Sequence, residues 1–296
     1  MPASLPLGFD ERPFSVREAI DVGVRPDRLR RKDLRAEFHG VRTPAHLPGD
    51  FTTRCRTYAT RLKSGQFFSH VTAARLWGMR LPWRMEREPL HVTALLPART
   101  PRTRGVVGHH SDAPGPELAR HDGFVLPTPA ETWRSLASIL TLDELVVAGD
   151  GLLNRQHPLA TSGQLRRAVA RNAGQRGNRT LRAAFDQVRP GTDSERETVL
   201  RLLLVRGGLP EPEVNGLLTE PGERERFGDL VYRTWKVVVE YEGLHHQASR
   251  HAYLGDIHRF EDLASRWRFV RIAKEHSPAE TLARVGAALR AAGWRP

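Results

Sequence analysis

The chain has 296 residues, 39% of them apolar and 27% charged, the make-up of a globular protein with room for two or three compact units. No run approaches the roughly 20 consecutive apolar residues of a membrane helix, and the polar, Pro-rich start from Met1 to Phe14 lacks the apolar core of a signal peptide, so a cytoplasmic protein without a membrane partner is expected. The single cysteine, Cys55, excludes an intramolecular disulfide framework and a cysteine-based zinc site, while a net charge of +12 favours polyanion partners.

The basic excess is carried by arginine: apart from Lys32, Lys63, Lys236 and Lys274, all of the 46 basic residues are Arg. Guanidinium forks grip phosphate oxygens bidentately, so nucleic acid, DNA in the first place, is the expected partner. A GC-rich genome would account for the ratio of Arg to Lys but not for the excess of base over acid.

Three regions follow in chain order, with boundaries expected at 1–45, 46–190 and 191–296. In the first, Ser15 with Glu18 three positions on reads as a capping box opening a helix that Gly23 ends. A second helix is expected from Leu29 to Leu34, with Arg28, Arg30, Arg31, Lys32 and Arg35 outside, and Phe38 to Arg42 reads as a short strand or wing. Two helices, the second basic, and a wing outline a winged helix-turn-helix; a helical hairpin with a solvated basic face is the other reading.

The middle region reads as mixed but mostly helical. Ser69 to Gly78 has the pattern of a capped helix, Leu90 to Leu96 that of a buried strand, and Thr128 to Leu153 helical spacing with Pro129 at a start. From Gln164 to Arg189 a helical pair carries Arg166, Arg167, Arg171, Arg176, Arg179, Arg182 and Arg189 against the single acid Asp186. Such a face lies along a phosphate backbone or is merely solvated.

The last region opens with an amphipathic helix from Ser194 to Leu204, closed by Gly207 and Gly208. Strand-like runs follow at Val214 to Thr219, Phe227 to Tyr232 and Trp235 to Glu242, then a helix from Ala252 to Ser265, a strand from Trp267 to Ala273 and a helix from Pro278 to Ala292. Val237, Val238 and Val239 in a row mark a strand covered on both faces, with Val238, Glu240 and Glu242 sharing one face. A tight turn at Arg233 and Thr234 brings Asp229 opposite this stretch, so Asp229, Glu240 and Glu242 converge. Two carboxylates about 5 Å apart repel by roughly 3 kcal/mol at an effective dielectric near 20. A hard divalent cation reverses that sign; solvation, or neutralisation by an arginine such as Arg259, is the bland alternative.

The run Phe227-Gly228-Asp229, then Val238 to Gly243, His245-His246, Asp256, Arg259 and Trp267 to Arg271 resembles the PD-(D/E)XK nuclease superfamily, and within it the Vsr-like (very-short-patch-repair-like) endonucleases. The resemblance covers about 192 to 296. It implies an α/β (α+β) domain, a restriction-endonuclease-like mixed sheet flanked by helices, that cuts DNA with Mg²⁺, for which Mn²⁺ can substitute. Asp229 and Glu240 would be metal ligands and Glu197 the helix carboxylate; His245 or His246 would transfer the proton, and Asp256 with Arg259 would support the site or hold phosphate. The lysine of the signature is absent, Glu242 standing in its place, and the Vsr-like branch also dispenses with it in favour of histidine. The front end, including the Ser69 to Gly78 box, is similar to AbiEi-type antitoxin-like proteins, in which a winged helix precedes a larger domain.

The expected function is that of a metal-dependent DNA endonuclease or DNA-processing protein, with Arg30, Arg31, Arg166, Arg167 and Arg259 on the phosphates. The rival is a catalytically inactive DNA-binding regulator of the antitoxin type. A protein-interaction module whose acids and arginines serve only in salt bridges would leave the positive charge unused.

Overall fold

The computed structural model describes residues 5–112, 115–242 and 263–296. Its contacts divide into two units, Met1–Gly78 with Pro82–Ser135, and Met79–Leu81 with Leu136–Pro296. The division runs through the middle region and coincides with neither expected boundary.

In the first unit, β1 (Phe14–Ser15), β3 (Val41–Pro44) and β2 (Leu34–Arg35) form a small antiparallel sheet in the order β1-β3-β2. Helix α1 (Val16–Asp21) starts where the Ser15 hydroxyl accepts the Glu18 amide at 3.0 Å. The Glu18 side chain turns to Arg12, so the expected capping box is half made. The expected second helix is absent: Arg28–Arg30 makes a single 3-10 turn and Leu34 pairs with Pro44 as a strand. The cause is Arg28, whose guanidinium folds inward and meets both Asp33 oxygens at 3.1 and 2.7 Å, closing the segment as a loop. Arg28 is therefore buried rather than outside, whereas Arg30 and Arg31 are exposed as expected.

The rest of this unit rests on strands more than the expected, mostly helical character allows. Helices α2 (Phe51–Ala59) and α3 (His70–Leu76) accompany β4 (Gln66–Phe68), β5 (Leu90–Leu95) and β6 (Val106–Ser111), followed by the hairpin β7 (Leu118–His121) and β8 (Phe124–Pro127). Aromatic and β-branched residues explain the preference: Phe67, Phe68, Val92, Thr93 and Val106 suit a pleated, half-buried surface. β5 pairs antiparallel with β4 and parallel with β6. Phe68, Leu90, Val92, Phe124 and Leu126 join Cys55 and Tyr58 in one core.

Helix α4 (Pro129–Leu136) ends where the second unit begins, and Thr141, with a complete capping box to Glu144, starts α5 (Leu142–Leu152). The stretch of helical spacing from Thr128 to Leu153 is thus two helices. α6 (Ser162–Arg171) and α7 (Asn178–Gln187) are the expected helical pair; Leu165, Ala168, Leu181 and Ala184 turn inward and Arg166, Arg167, Arg176, Arg179 and Arg182 lie exposed. α5 is pinned to α8 (Glu195–Arg206) by fully buried Asp150, which accepts from the Arg189 amide at 2.8 Å, the Thr198 hydroxyl at 2.9 Å and Arg201 at 2.9 Å.

The last part of the second unit is a mixed four-stranded sheet in the order β12-β11-β10-β9, comprising β9 (Glu213–Leu217), β10 (Phe227–Tyr232), β11 (Val237–Glu242) and β12 (Arg268–Ala273). The first three strands run antiparallel and β12 lies parallel to β11. Leu230, Tyr232, Val237 and Val239 pack with Leu200 and Leu204 of α8 and with Val285 and Leu289 of α9 (Pro278–Ala291). Val231 and Val238 pack on the opposite side with Leu218, Leu263 and Trp267. The valine run is covered on both faces, as its composition requires, and the chain belongs to the α+β class. Among the described residues no helix is long and apolar enough to cross a membrane.

Candidate functional site

Two strands and a helix bring acids together at one end of this sheet. The ladder between β10 and β11 pairs Leu230 with Val239. One step beyond it the Tyr241 amide donates to Asp229 Oδ2 at 2.9 Å, so a carboxylate takes the place of a backbone acceptor. This fixes the Asp229 side chain beside Glu240, the residue preceding Tyr241. Gly228 has no room for a side chain: a Cβ there would lie 2.5 Å from Val238 Cγ1.

Glu240 is half-buried, and burial first, then the neighbouring Asp229 charge, pushes its carboxyl up to about 7. Arg271, its register partner on β12, pulls in the opposite direction. The Arg271 guanidinium also lies 3.4 Å from Glu242, which is exposed at the strand end. The fourth acid, Glu197, is only 5% exposed in the first turn of α8. Its Oε2 accepts from the Asp193 amide and from Asn215 Nδ2, both at 2.9 Å. Burial raises the Glu197 pKa, and Asp229 raises it further against the hydrogen bonds that favour the ionised form. Asn215 reaches this position from a left-handed backbone, φ +46°, and also donates to the Gly191 carbonyl.

The structure therefore brings Asp229, Glu240 and Glu197 into one electrostatic neighbourhood and sets Glu242 at its rim with Arg271. His245, His246, Asp256 and Arg259 lie outside the described residues. Arg166 and Arg167 sit on the exposed face of α6, and Arg30 and Arg31 belong to the first unit. The donor set is all oxygen, the preference of a hard cation. Mg²⁺ keeps several waters and needs only one or two carboxylates, and Glu240 with Asp229 presents negative charge that Arg271 offsets only in part. Among the described residues the acids do not form a group of three whose ligand atoms cluster closely enough to hold an ion; a cation here would rest on two carboxylates and water.

Compared with known proteins, the chain matches no family model, no curated protein and no solved structure.

A second cluster escaped the sequence. In the first unit His70, His91 and His109 place one ring nitrogen each within 4.8 Å of one another, the grouping of metal-ligand type found among the described residues. His91 sits in a largely apolar strand and His109 on the strand parallel to it, a pairing that no periodicity reveals. Buried Asp150, with Arg201 as its partner, was equally hidden, since an acid within a helix gives no sign of the guanidinium it meets 51 residues later.

Proposed function

We propose that the chain is a metal-dependent endodeoxyribonuclease acting on cytoplasmic DNA, with Asp229, Glu240 and Glu197 at its centre. The observation that carries this reading is the fork between β10 and β11, where Asp229 is held by the Tyr241 amide beside a Glu240 carboxyl pushed up to about 7. Asp229 raises the proton affinity of two further acids, Glu240 and Glu197. Perturbed acids of this sort mark functional clefts.

Mg²⁺ held by Asp229 and Glu240 would supply a Lewis acid for the scissile phosphate and its attacking water. The chain's own part is positional. Tyr241 keeps Asp229 oriented, and Asn215 and the Asp193 amide keep Glu197 in place. In the hydrolysis a water oxygen bonds to phosphorus, the phosphorus–sugar oxygen bond breaks, the water loses one proton and the leaving oxygen gains one. His245 or His246 would take the proton, as the resemblance to Vsr-like nucleases implies. The exposed arginines of α6 and α7 would grip the phosphate backbone without reading sequence.

One observation favours the second reading, a catalytically inactive DNA-binding regulator: Arg271 stands against Glu242 and lowers the proton affinity of Glu240, as a salt bridge replacing a metal would. Nicking of supercoiled plasmid with Mg²⁺, lost in Asp229→Asn, supports the enzyme. DNA binding with a steep salt dependence and no cleavage supports the regulator.

A further inference from the structure

The histidine cluster of the first unit is built rather than incidental. His70 opens α3 in a left-handed backbone conformation, φ +49°, a state that costs a non-glycine residue free energy and gathers at functional positions. The conformation lays its ring on that of His109, with centroids 3.8 Å apart. His109 Nε2 lies 3.0 Å from His91 Nδ1. His70 Nδ1 lies 2.9 Å from the Ser69 hydroxyl, which accepts from Thr93 at 2.7 Å. His91 is 5% exposed, and its Nε2 is buried without a hydrogen-bond partner. A Glu88 carboxylate oxygen lies 3.8 Å from that nitrogen.

We propose that His70, His91 and His109 bind one divalent cation of the zinc class, leaving the fourth coordination position to water or an anion.

Tetrahedral zinc holds nitrogen ligands at about 2.0–2.1 Å, which sets neighbouring donors about 3.3 Å apart. The His91–His109 nitrogens, at 3.0 Å, need to part by only a few tenths of an ångström, and the third nitrogen is within 4.8 Å. The His70 ring must tilt out of its stack to aim its lone pair. All-nitrogen ligation excludes magnesium and calcium, which take oxygen. Binding through His91 Nδ1 leaves the proton on Nε2, facing Glu88, the carboxylate–histidine relay that orients metal-bound imidazoles. Ser69 and Thr93 play that part for His70. Burial lowers the proton affinity of all three imidazoles, and neighbouring charges add to it at His70 and His109.

The site is separate from the acidic cluster and stands or falls without it. The test uses the full chain stripped with a chelator, desalted and titrated with Co²⁺, then with Zn²⁺ in competition. The expected result is one equivalent of Co²⁺ with the intense ligand-field absorption of a tetrahedral site, displaced by Zn²⁺; oxygen sites give the weak octahedral spectrum. His109→Gln and His91→Ala should each lower Co²⁺ affinity at least about 100-fold, and Glu88→Gln about 10-fold or more. His110→Ala, at the exposed neighbour of His109, and Asp229→Asn should retain the tetrahedral signal. Circular dichroism of each metal-free variant separates lost binding from lost folding. A wild type with no tetrahedral spectrum at several-fold excess Co²⁺ overturns the proposal, whatever the variants do. So does a signal that persists in folded His109→Gln.

Discussion

Asp229 Oδ2 accepts the Tyr241 amide at 2.9 Å, and this one hydrogen bond puts a carboxylate between two others whose proton affinity it raises, Glu240 on the adjoining strand and Glu197 on α8. The sheet holds the arrangement against charge repulsion.

Glu240→Gln should stabilise the metal-free protein at alkaline pH. The folded carboxyl is raised to about 7 from 4.5, so its charging opposes folding only above the unfolded value. The penalty is absent below pH 4.5 and complete once pH has risen through about 7. Discounted for solvent screening, the gain at pH 8 is about 1–2 kcal/mol. Thermal melting of both proteins at pH 4.5 and pH 8 checks this; an equal difference at the two pH values contradicts it.

Arg271→Ala removes the cation that holds the Glu240 pKa down. The midpoint for Glu240 ionisation, followed by the carboxyl carbon in NMR, should move to higher pH. A midpoint that does not move would mean that Arg271 serves Glu242 alone.

Gly228→Ala forces a Cβ to within 2.5 Å of Val238 Cγ1. Overpacking of this kind costs about 1–3 kcal/mol. Denaturant unfolding should show the loss.

Asp150→Ala should be the most damaging of these changes. It leaves the Arg201 guanidinium buried among groups arranged for an ion pair, and breaking such a pair costs about 3–5 kcal/mol. Chemical unfolding should give a lower midpoint in Asp150→Ala than in Gly228→Ala.

In the metal-free protein the imidazoles of His91 and His109, lowered by burial from 6.5 to about 4, resist protonation in the fold. The unfolded chain then binds more protons, so stability is intact above pH 6.5 and falls as pH drops towards about 4. Arg134 near His70, whose proton affinity is lowered as well, adds to the loss. Urea midpoints across this range should decline for the wild type and flatten in His109→Gln.

The C-terminal sheet was legible because its signals are local. Val237 to Val239 declare a doubly covered strand, and the short connection at Arg233 and Thr234 sets the register that brings Asp229 to Glu240. The 3-10 turn at Arg28 was not legible, since basic residues at helical spacing do not reveal that one guanidinium will fold back on Asp33. Nor was the histidine trio, whose members come from a helix start and two strands paired in parallel. The middle region deceived for a related reason: Phe67, Phe68 and Val106 are strand formers whose partners lie far along the chain.

The most direct test of the acidic site is conversion of supercoiled plasmid to nicked and linear forms with Mg²⁺ or Mn²⁺, comparing wild type with Asp229→Asn of matched thermal stability. Metal-dependent cleavage by the wild type that disappears in Asp229→Asn is the expected result. DNA bound but uncut by the wild type under either metal, or cleavage equal in the two proteins, would contradict the assignment of Asp229 and Glu240 as a nuclease centre.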